Sequence, residues 1–486
     1  MSEFPTSLLY VDGRLRPAEG GRTYDVVTPV SGATVGQAAH GSAADVDEAI
    51  AAARRAFDTT DWPTDVARRV AALRRWQDAL RGLAEAYRPR IMAETGSTRL
   101  LTQLIALDKP IDMMSWTLSL AEGYSWERDI GVANALGVPS RRLVVKEAAG
   151  VVGAITPWNV PVQVNLAKTT AALAAGCTVV LKAAPNTPWS AAFLGEAAAK
   201  AALPPGVFNV VTSADKAAPG EQLVADSRVD VISFTGSTLV GKRIMEVAAS
   251  TLKRVFLELG GKSANIVLDD AIFPEALQSG LGVCFHAGQG CALPTRILIP
   301  RRRYAEAIEI LKALFEAVPF GDPEAPDQVM GPVVSKAQFD RVISYIELGK
   351  KEGARLVTGG HAAHVERGGY YIAPTLFADV DNHMRIAQEE IFGPVLVAIP
   401  YEDDEDAVRI ANESDYGLSG AVQSADPSRA LAIAKRIRTG TISINKSAYF
   451  GPDAPFGGYK QSGLGREMGL EGFEEYLETK TISMEA

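Results

Sequence analysis

Cysteine and histidine are scarce in this chain. Its 486 residues include three cysteines and five histidines. Three cysteines cannot form a disulfide framework in a chain of this length, so we expect free thiols and a cytoplasmic protein. Cys284, His286 and Cys291 are close in sequence, but a closed zinc site usually needs four ligands in paired close spacings. We therefore predict no metal site.

An excess of positive charge and long apolar runs are also missing. The net charge is −9, whereas binding to a phosphate backbone requires a basic surface. No apolar run approaches the roughly 20 residues that a membrane span requires, and no basic segment with a long apolar run opens the sequence as in a signal peptide. We therefore predict no nucleic-acid partner and no membrane association. The length predicts two or three domains.

A glycine-rich dinucleotide fingerprint is a third absence, since no G-x-G-x-x-G follows a predicted strand. The segment GSTLVGKR, residues 236–243, has the spacing of a phosphate-binding loop as far as Lys242. Arg243 then stands where that loop needs a Ser or Thr for magnesium, which argues against a nucleotide hydrolase. The start of a helix after SFTGS still offers free backbone N–H groups to an anion.

Regular alternation of strand and helix patterns is the main feature that is present. From about residue 148, apolar strand segments alternate with helical segments; the strand segments read AGVVGAIT, TVVLKAA, GVFNVVT, VDVISFTGS and KRVFLEL. This order predicts βαβ units and a parallel sheet, with ligands bound beyond the carboxyl ends of the strands. A second α/β series occupies roughly residues 270–445, and residues 125–149 interrupt the first series as an extended arm.

Three polar residues at the ends of predicted elements have chemical potential. Cys291 lies between Gly290 and Ala292, whereas a structural cysteine usually has bulky apolar neighbours. Glu258 ends an apolar strand, where it either caps a turn or has a raised pKa and acts as a base. Asn159 follows a strand, where it either caps the next helix or offers its amide to an oxyanion. Taken one at a time, these residues leave both interpretations open.

Seven segments in a fixed order resemble the aldehyde dehydrogenase superfamily over nearly the whole chain. They are AITPWNVP, LKAAPNTP, SFTGST, FLELGGKSANIV, GQGCALPTR, EEIFGPV and PFGGYKQSGLGRE. The resemblance implies an α/β fold with a Rossmann-like parallel-sheet cofactor-binding domain in residues 1–125 and 149–259. It implies a second α/β, catalytic domain in residues 260–459. A small β oligomerisation arm and a C-terminal segment would then occupy residues 126–148 and 460–486, in a homodimer or homotetramer.

The resemblance also implies the chemistry. Cys291 would attack a small-molecule aldehyde, and the Asn159 side chain with the Cys291 backbone N–H would hold the oxyanion. Oxidation with NAD, or with NADP, would convert the cysteine thiohemiacetal to a thioester. Glu258 would activate the water that releases the carboxylic acid. Lys168 and Glu467 match positions that support proton movement and orient the catalytic groups.

Binding residues follow from the same resemblance. Those implied for the cofactor are Ile155, Thr156, Pro157, Trp158, Lys182, Pro185, Phe234, Gly236, Ser237, Leu259, Gly260, Glu390 and Phe392. Those implied for the substrate are Val160, Val164, Ala167, Phe285, Phe450 and Phe456. The first three recur at offsets of four and three and so share one helical face. Because none of these six carries a charge, we predict an apolar aldehyde of medium size or with an aromatic ring.

Two positions depart from the family pattern. Pro185 stands where NAD-preferring members often have a Glu that binds the ribose hydroxyls, and without that carboxylate nothing there repels a 2′-phosphate. We predict that NAD is used better than NADP, with weak discrimination. His286 stands five residues before Cys291, where a small polar residue or Asn is common, and it either influences the thiol or packs there. Two alternatives are an acylating enzyme that uses coenzyme A and a non-catalytic ligand-binding homologue. Retention of Glu258 argues against the first, and its presence with Cys291 and Asn159 argues against the second.

Overall fold

The fold contains two large sheets, each covered by helices, and a small third sheet that projects as an arm. The computed structural model describes residues 4–486. The strands are β1 (Phe4–Ser7), β2 (Leu9–Val11), β3 (Arg14–Arg16), β4 (Thr23–Val27), β5 (Thr34–Ala39), β6 (Glu127–Ala135), β7 (Val138–Ala148), β8 (Val151–Ile155), β9 (Thr178–Lys182), β10 (Phe208–Val211), β11 (Val231–Thr235), β12 (Arg254–Glu258), β13 (Ser263–Val267), β14 (Pro294–Pro300), β15 (Arg355–Thr358), β16 (Ala362–Ala363), β17 (Tyr371–Ile372), β18 (Thr375–Ala378), β19 (Val395–Tyr401), β20 (Tyr416–Gly417), β21 (Gly420–Gln423), β22 (Ser443–Ile444), β23 (Tyr459–Lys460), β24 (Gly463–Leu464) and β25 (Leu477–Glu485). The helices are α1 (Ala43–Thr59), α2 (Val66–Thr95), α3 (Arg99–Leu101), α4 (Asp108–Gly123), α5 (Pro161–Ala175), α6 (Pro188–Lys200), α7 (Ala218–Ala225), α8 (Thr238–Ala248), α9 (Tyr304–Glu316), α10 (Lys336–Lys351), α11 (Arg385–Gln388), α12 (Asp404–Asn412), α13 (Pro427–Ala434) and α14 (Gly469–Glu474).

The first large sheet has eight strands in the order β24-β12-β11-β8-β9-β10-β2-β3. Its five central strands, β8 to β12, are parallel, as the alternation of apolar strands and helices predicts. Such strands are apolar throughout because helices cover both faces of the sheet. Their carboxyl ends bring Ile155, Lys182, Thr235 and Glu258 to one edge.

Local signals place the helix ends in this half of the chain. Ser42 and Asp45 form a reciprocal capping box at the start of α1, as the sequence predicts near Ser42. Helix α5 ends at Gly176, whose φ of 98° is the left-handed conformation that glycine adopts readily. Helix α8 follows β11 directly and begins at Ser237, whose hydroxyl accepts a hydrogen bond from Val240 N. The end of β11, the turn after it and the start of α8 are therefore fixed at the edge of the sheet where a ligand would bind.

The second large sheet has seven strands in the order β15-β18-β19-β14-β13-β21-β22 and uses residues 263–444. The predicted strands TRILIP and PVLVAIP are present as β14 and β19. The predicted strand GTISIN is shorter, because only Ser443 and Ile444 pair with β21 at the sheet edge. Asn445 then adopts a φ of 54°, which ends the extended conformation.

The arm is a three-stranded antiparallel sheet in the order β25-β7-β6. The extended segment predicted for residues 125–149 supplies β6 and β7. Within the C-terminal segment, β24 pairs with β12 of the first large sheet, whereas β25 joins the arm. At Gly463 an added Cβ would lie 2.1 Å from Leu257 O, so the chain passes too close to β12 for any side chain. Residues 463–476 thus lie against the first large sheet.

Two large hydrophobic cores lie around the two large sheets. Phe473, Tyr476 and Leu477 contribute to the first core, which explains why the C-terminal segment returns to that sheet. Among residues 4–486, no helix combines the length and the hydropathy that crossing a bilayer requires.

Candidate active site

Asn159 lies in the turn between β8 and α5 and is almost fully buried. The helix is capped at Val160 without a side-chain hydrogen bond, so Asn159 does not act as an N-cap. Its side-chain Nδ2 instead donates to Gln289 O at 3.0 Å. A carboxamide nitrogen carries two hydrogens, so the second N–H remains for another acceptor.

Cys291 follows a segment with an unusual backbone. His286, Ala287 and Gly288 adopt φ values of 50°, 52° and 72°, a left-handed path that non-glycine residues rarely take. An added Cβ at Gly288 would lie 2.0 Å from Gly393 O, so this turn packs tightly against the backbone that precedes β19. The turn brings the Cys291 side chain to a cavity wall, and the residue is partly exposed. Cys177 and Cys284 are buried, as their apolar surroundings predict.

Gln289 fixes this segment through its side chain. Its Nε2 donates to His286 O at 3.1 Å, and its Oε1 accepts from Val334 N at 2.8 Å. Both polar ends of a fully buried amide are therefore satisfied. The backbone that carries Cys291 is held in one position as a result.

Glu258 ends β12 beside the Cys291 thiol. The carboxyl group is buried, and its Oε1 has no hydrogen-bond partner among residues 4–486. Burial, reinforced by the negative charge of Glu467, raises the pKa of Glu258 to about 8. Burial and the adjacent Glu258 charge also raise the pKa of the Cys291 thiol well above its usual range. Burial therefore favours the uncharged forms of both groups, and Glu258 becomes available as a base as pH rises through its raised pKa.

A buried ion pair lies behind Glu258. Lys168 Nζ is 2.5 Å from Glu467 Oε1 and donates to Ser233 Oγ at 3.2 Å. Lys168 is fully enclosed, whereas Glu467 also lines the cavity at Cys291. The two residues come from α5 and from the segment after β24, so the C-terminal return of the chain completes this part of the site.

Cys291, Glu258 and Asn159 all line one cavity of about 310 Å³. The predicted substrate residues Val160, Val164, Ala167, Phe285, Phe450 and Phe456 line the same cavity. Residues in the wall that the sequence did not single out include Ile105, Gln163, Leu293, Tyr449 and Met468. Two of these had a signal, because Gln163 falls between Val160 and Ala167 on the same helical face and Tyr449 adjoins Phe450.

Two further cavities lie on the other side of the thiol, and the smaller one connects the first cavity to the larger one. A cavity of about 430 Å³ is lined by the predicted cofactor residues Ile155, Thr156, Pro157, Trp158, Lys182, Pro185, Phe234 and Gly236. A cavity of about 260 Å³ is lined by the predicted Ser237, Leu259, Gly260, Glu390 and Phe392. Cys291, Glu258 and Asn159 line this smaller cavity too. Pro157, Trp158 and Gly236 line both cofactor-side cavities, so they adjoin one another and the thiol.

The chemistry of these walls fits a nicotinamide dinucleotide. Thr156 Oγ1 and Thr235 Oγ1 are buried without a hydrogen-bond partner among residues 4–486, and both residues line the larger cavity. The N-terminus of α8 offers backbone N–H groups to a pyrophosphate. Glu390 Oε1 accepts from Gly261 N at 3.0 Å, and a Cβ at Gly260 would lie 2.6 Å from Glu390 Oε2. Because Gly260 has no side chain, the Glu390 carboxylate has room beside it, in a position where it would hold a ribose.

Lys182 ends β9 in the larger cavity. Burial lowers the pKa of Lys182 to about 8, and its Nζ donates to Lys216 O at 3.4 Å. A weakly satisfied amine at this depth suits ribose hydroxyls or a phosphate. Pro185, three residues later, adds no polar group to the same wall.

Comparison with known proteins identifies the family. The model of the Aldehyde dehydrogenase family matches residues 15–482.

The chain belongs to the aldehyde dehydrogenase family.

A putative aldehyde dehydrogenase DhaS from Bacillus subtilis is 41% identical over 98% of this chain and 95% of its own. The crystal structure of a Mycobacterium tuberculosis aldehyde dehydrogenase with NAD+ has a TM-score of 0.94 and 40% identity, covering 99% of this chain and 98% of its own. A mutant aldehyde dehydrogenase C from Pseudomonas syringae, solved with NAD+ and octanal, has a TM-score of 0.90 and 39% identity, covering 98% and 96%. The predicted family and fold class are therefore confirmed.

No group of three or more His, Cys, Asp or Glu side chains within residues 4–486 has the arrangement of a metal site. The individual roles of the residues in this aldehyde dehydrogenase stay predictions, although the structure brings them together. Lys168 is the one predicted catalytic residue that does not line a cavity described above; it reaches the site only through Glu467.

Proposed function

We propose that this aldehyde dehydrogenase oxidises an apolar, medium-sized or aromatic aldehyde to its carboxylic acid, using Cys291 as nucleophile. One observation carries the proposal: a thiol, a buried carboxyl and a free amide N–H meet in one largely apolar cavity beside a cavity suited to a dinucleotide. These are the groups that acyl chemistry through a covalent cysteine requires.

The proposed steps use residues at the places described. Glu258 takes the proton of the Cys291 thiol, and the sulfur attacks the aldehyde carbon to form a thiohemiacetal. Its oxygen, negatively charged, accepts hydrogen bonds from Asn159 Nδ2 and the Cys291 backbone N–H. A nicotinamide dinucleotide in the adjoining cavity would supply the hydride acceptor, and loss of hydride from that carbon would convert the thiohemiacetal to a thioester.

Release of the product uses the same carboxylate a second time. Once Glu258 has released the thiol proton to solvent, it takes a proton from water and the oxygen attacks the thioester carbon. The Cys291 sulfur leaves as a thiolate and regains a proton as the acid forms. The Lys168–Glu467 pair lies behind Glu258 and influences its charge, because Glu467 raises the pKa of Glu258 while Lys168 lowers it. We propose that this pair orients the catalytic groups and supports proton movement.

Charge in the wall of the cavity supports an apolar substrate. The ionisable carboxyls in this wall are Glu258 and Glu467, and His286 is its basic side chain. Burial lowers the pKa of His286 to about 4, so no cation faces a substrate carboxylate. A semialdehyde with a second carboxylate would find no cation in this wall to pair with, at a cost of several kcal/mol. The solved relative that binds octanal is consistent with an apolar substrate.

A panel of four aldehydes tests the substrate class. We expect kcat/KM for hexanal and benzaldehyde to exceed that for acetaldehyde and for succinate semialdehyde. Product identification with and without coenzyme A separates acid formation from acylation, since a coenzyme A thioester would indicate the acylating alternative. A highest kcat/KM for succinate semialdehyde would contradict the apolar cavity and the use of Ala167 as a gauge of substrate size.

For the cofactor, we infer that NAD is used better than NADP, with weak discrimination. Lys182 can hold ribose hydroxyls, but its charge also suits a 2′-phosphate, and Pro185 provides no carboxylate to repel one. The ratio of kcat/KM for the two cofactors measures this. A clear preference for NADP would overturn it.

We further infer a cytoplasmic homodimer or homotetramer assembled through the arm. Exposed apolar side chains on the arm strands and their connecting turn include Ile130, Val132, Leu136, Val138, Ile482 and Met484. Such a concentration on a thin sheet is typical of a surface that another chain covers. We also propose that residues 1–125 and 149–259 form the cofactor-binding domain and that residues 260–459 form the catalytic domain. Three free cysteines agree with a reducing compartment.

A further inference from the structure

His286 makes a short hydrogen bond to the turn that carries Asn159. The imidazole is 5% exposed, and its Nε2 lies 2.6 Å from Asn159 O. A backbone carbonyl can only accept a hydrogen bond, so Nε2 must carry the hydrogen. Burial lowers the pKa of His286 to about 4, so the ring is neutral and is the tautomer with an unprotonated Nδ1. Its contact with Asn159 is a neutral, directional N–H···O=C bond.

The backbone of His286 is held as firmly as its ring. Its φ of 50° and ψ of 37° lie in the left-handed region, which is unfavourable for a non-glycine residue. Its carbonyl accepts hydrogen bonds from both Gln289 N and Gln289 Nε2, each at 3.1 Å. Gln289 is itself fixed by Val334 N. A side chain anchored in this way can hold a partner in place.

Asn159 is therefore attached to one loop at two points. Its carbonyl oxygen accepts from the His286 ring, and its Nδ2 donates to Gln289 O at 3.0 Å. The same loop reaches Cys291 two residues after Gln289. The two proposed oxyanion donors, Asn159 Nδ2 and the Cys291 backbone N–H, come from different elements, and this loop connects them.

We propose that His286 is a positioning residue that sets the distance between the two oxyanion donors by fixing the Asn159 backbone. The proposal rests on the proposed function, because it acts through the role assigned to Asn159. Oxyanion stabilisation depends on donors held in advance of the reaction, and a displacement of about 1 Å can lower a rate by about 10²-fold. The ring thus contributes to transition-state binding without touching the reacting atoms.

The first test replaces the imidazole with side chains that lack its N–H. For His286→Phe we expect a 10- to 100-fold fall in the rate of the pre-steady-state burst of reduced cofactor, with the KM for NAD nearly unchanged. His286→Gln should recover most of the rate, because a glutamine N–H can reach the same carbonyl. His286→Leu, which is smaller, should behave like His286→Phe and guards against a steric effect. The matched control is His364→Phe, since His364 Nε2 lies 3.1 Å from Phe320 O, outside the residues that line these cavities.

A double-mutant cycle with Asn159→Ala then decides the mechanism. The alanine variant keeps the carbonyl that His286 binds but lacks the oxyanion donor. If His286 acts through that donor, His286→Phe should slow the Asn159→Ala enzyme by less than about 2-fold. An equal fall in both backgrounds, or wild-type rates for His286→Phe alone, would overturn the positioning role. Absence of aldehyde oxidation by the wild-type protein would instead refute the proposed function.

Discussion

The surroundings of Glu258 raise the pKa of its carboxyl group toward the range in which a general base works. Its pKa of about 8 lies above the ordinary value for a carboxyl, so the basic form increases as pH rises through 8. We expect the steady-state rate to rise from pH 6 to about 9 where acid release limits turnover. Steady-state kcat across that range measures this, and a profile that falls with rising pH would contradict the role as base.

Replacement of Glu258 should separate two phases of the reaction. In Glu258→Gln the carboxamide cannot take a proton from water, so thioester hydrolysis should slow more than hydride transfer. Stopped-flow absorbance should then show a burst of reduced cofactor followed by a slow steady rate without the rising pH limb. Equal slowing of both phases would indicate an orienting role instead.

Cys291 offers a comparison with two other thiols in the same chain. Cys291→Ala should abolish aldehyde oxidation and leave the binding of NAD close to that of the wild type, because the larger cofactor cavity does not include the thiol. Cys284→Ala should retain the activity, since that buried side chain lies outside the cavities described here. Turnover and a cofactor titration check both. Substantial turnover by Cys291→Ala would remove the thiol from the mechanism.

At the scale of elements, α6 depends on a residue from another helix for its N-terminus. Thr187 makes no side-chain cap, and the buried Glu94 of α2 accepts instead from Trp189 N and Ser190 N, each at 2.8 Å. The Ser190 hydroxyl donates to the same carboxyl. Two helices are therefore joined by one side chain.

Removal of that carboxyl should destabilise the fold. Glu94→Ala leaves buried N–H groups without acceptors and creates a cavity, which we expect to lower stability by about 2–4 kcal/mol. Scanning calorimetry at one fixed scan rate should show a clear fall in Tm. Glu122→Ala is the control, because the ion pair of Glu122 with Arg74 is exposed and should change stability little. Similar Tm values for the two variants would argue against Glu94 as the cap of α6.

Helix ends and strands that depend on a short sequence pattern were predictable from the sequence. Pairings between strands that are distant in the sequence were not. The Ser42 capping box, the end of α5 at Gly176 and the strands β8 to β12 each follow from a short pattern. Strand β24 has only two residues and no apolar run, and it forms because β12 offers an open edge. In the site, Cys291, Glu258 and Asn159 came from motifs. Ile105 could not be predicted, because it depends on how a π-helical turn at residues 102–106 faces the cavity.

At the scale of the whole molecule, the arm provides a test of assembly. Val132→Asp places a charge among the exposed apolar side chains of β6, where burial against a second chain would be unfavourable. We expect light scattering after size exclusion to show a smaller species than for the wild type. Val365→Asp is the matched control, since Val365 is similarly exposed but lies far along the chain from the arm strands. An unchanged mass for Val132→Asp would place the interface elsewhere.

The hydrogen-bonded pair of Lys168 and Glu467 joins two parts of the chain that the ribosome synthesises at different times. The chain between Cys291 and Glu467 is 176 residues long, and a ribosome adds about 5–20 residues per second. The thiol therefore exists for roughly 10–35 s before the carboxylate that completes its surroundings has been synthesised. Until β24 closes the edge of β12, Lys168 has no anionic partner from this segment. The nascent polypeptide thus carries a cysteine whose acid–base environment is assembled only when synthesis of the last tenth of the sequence is under way.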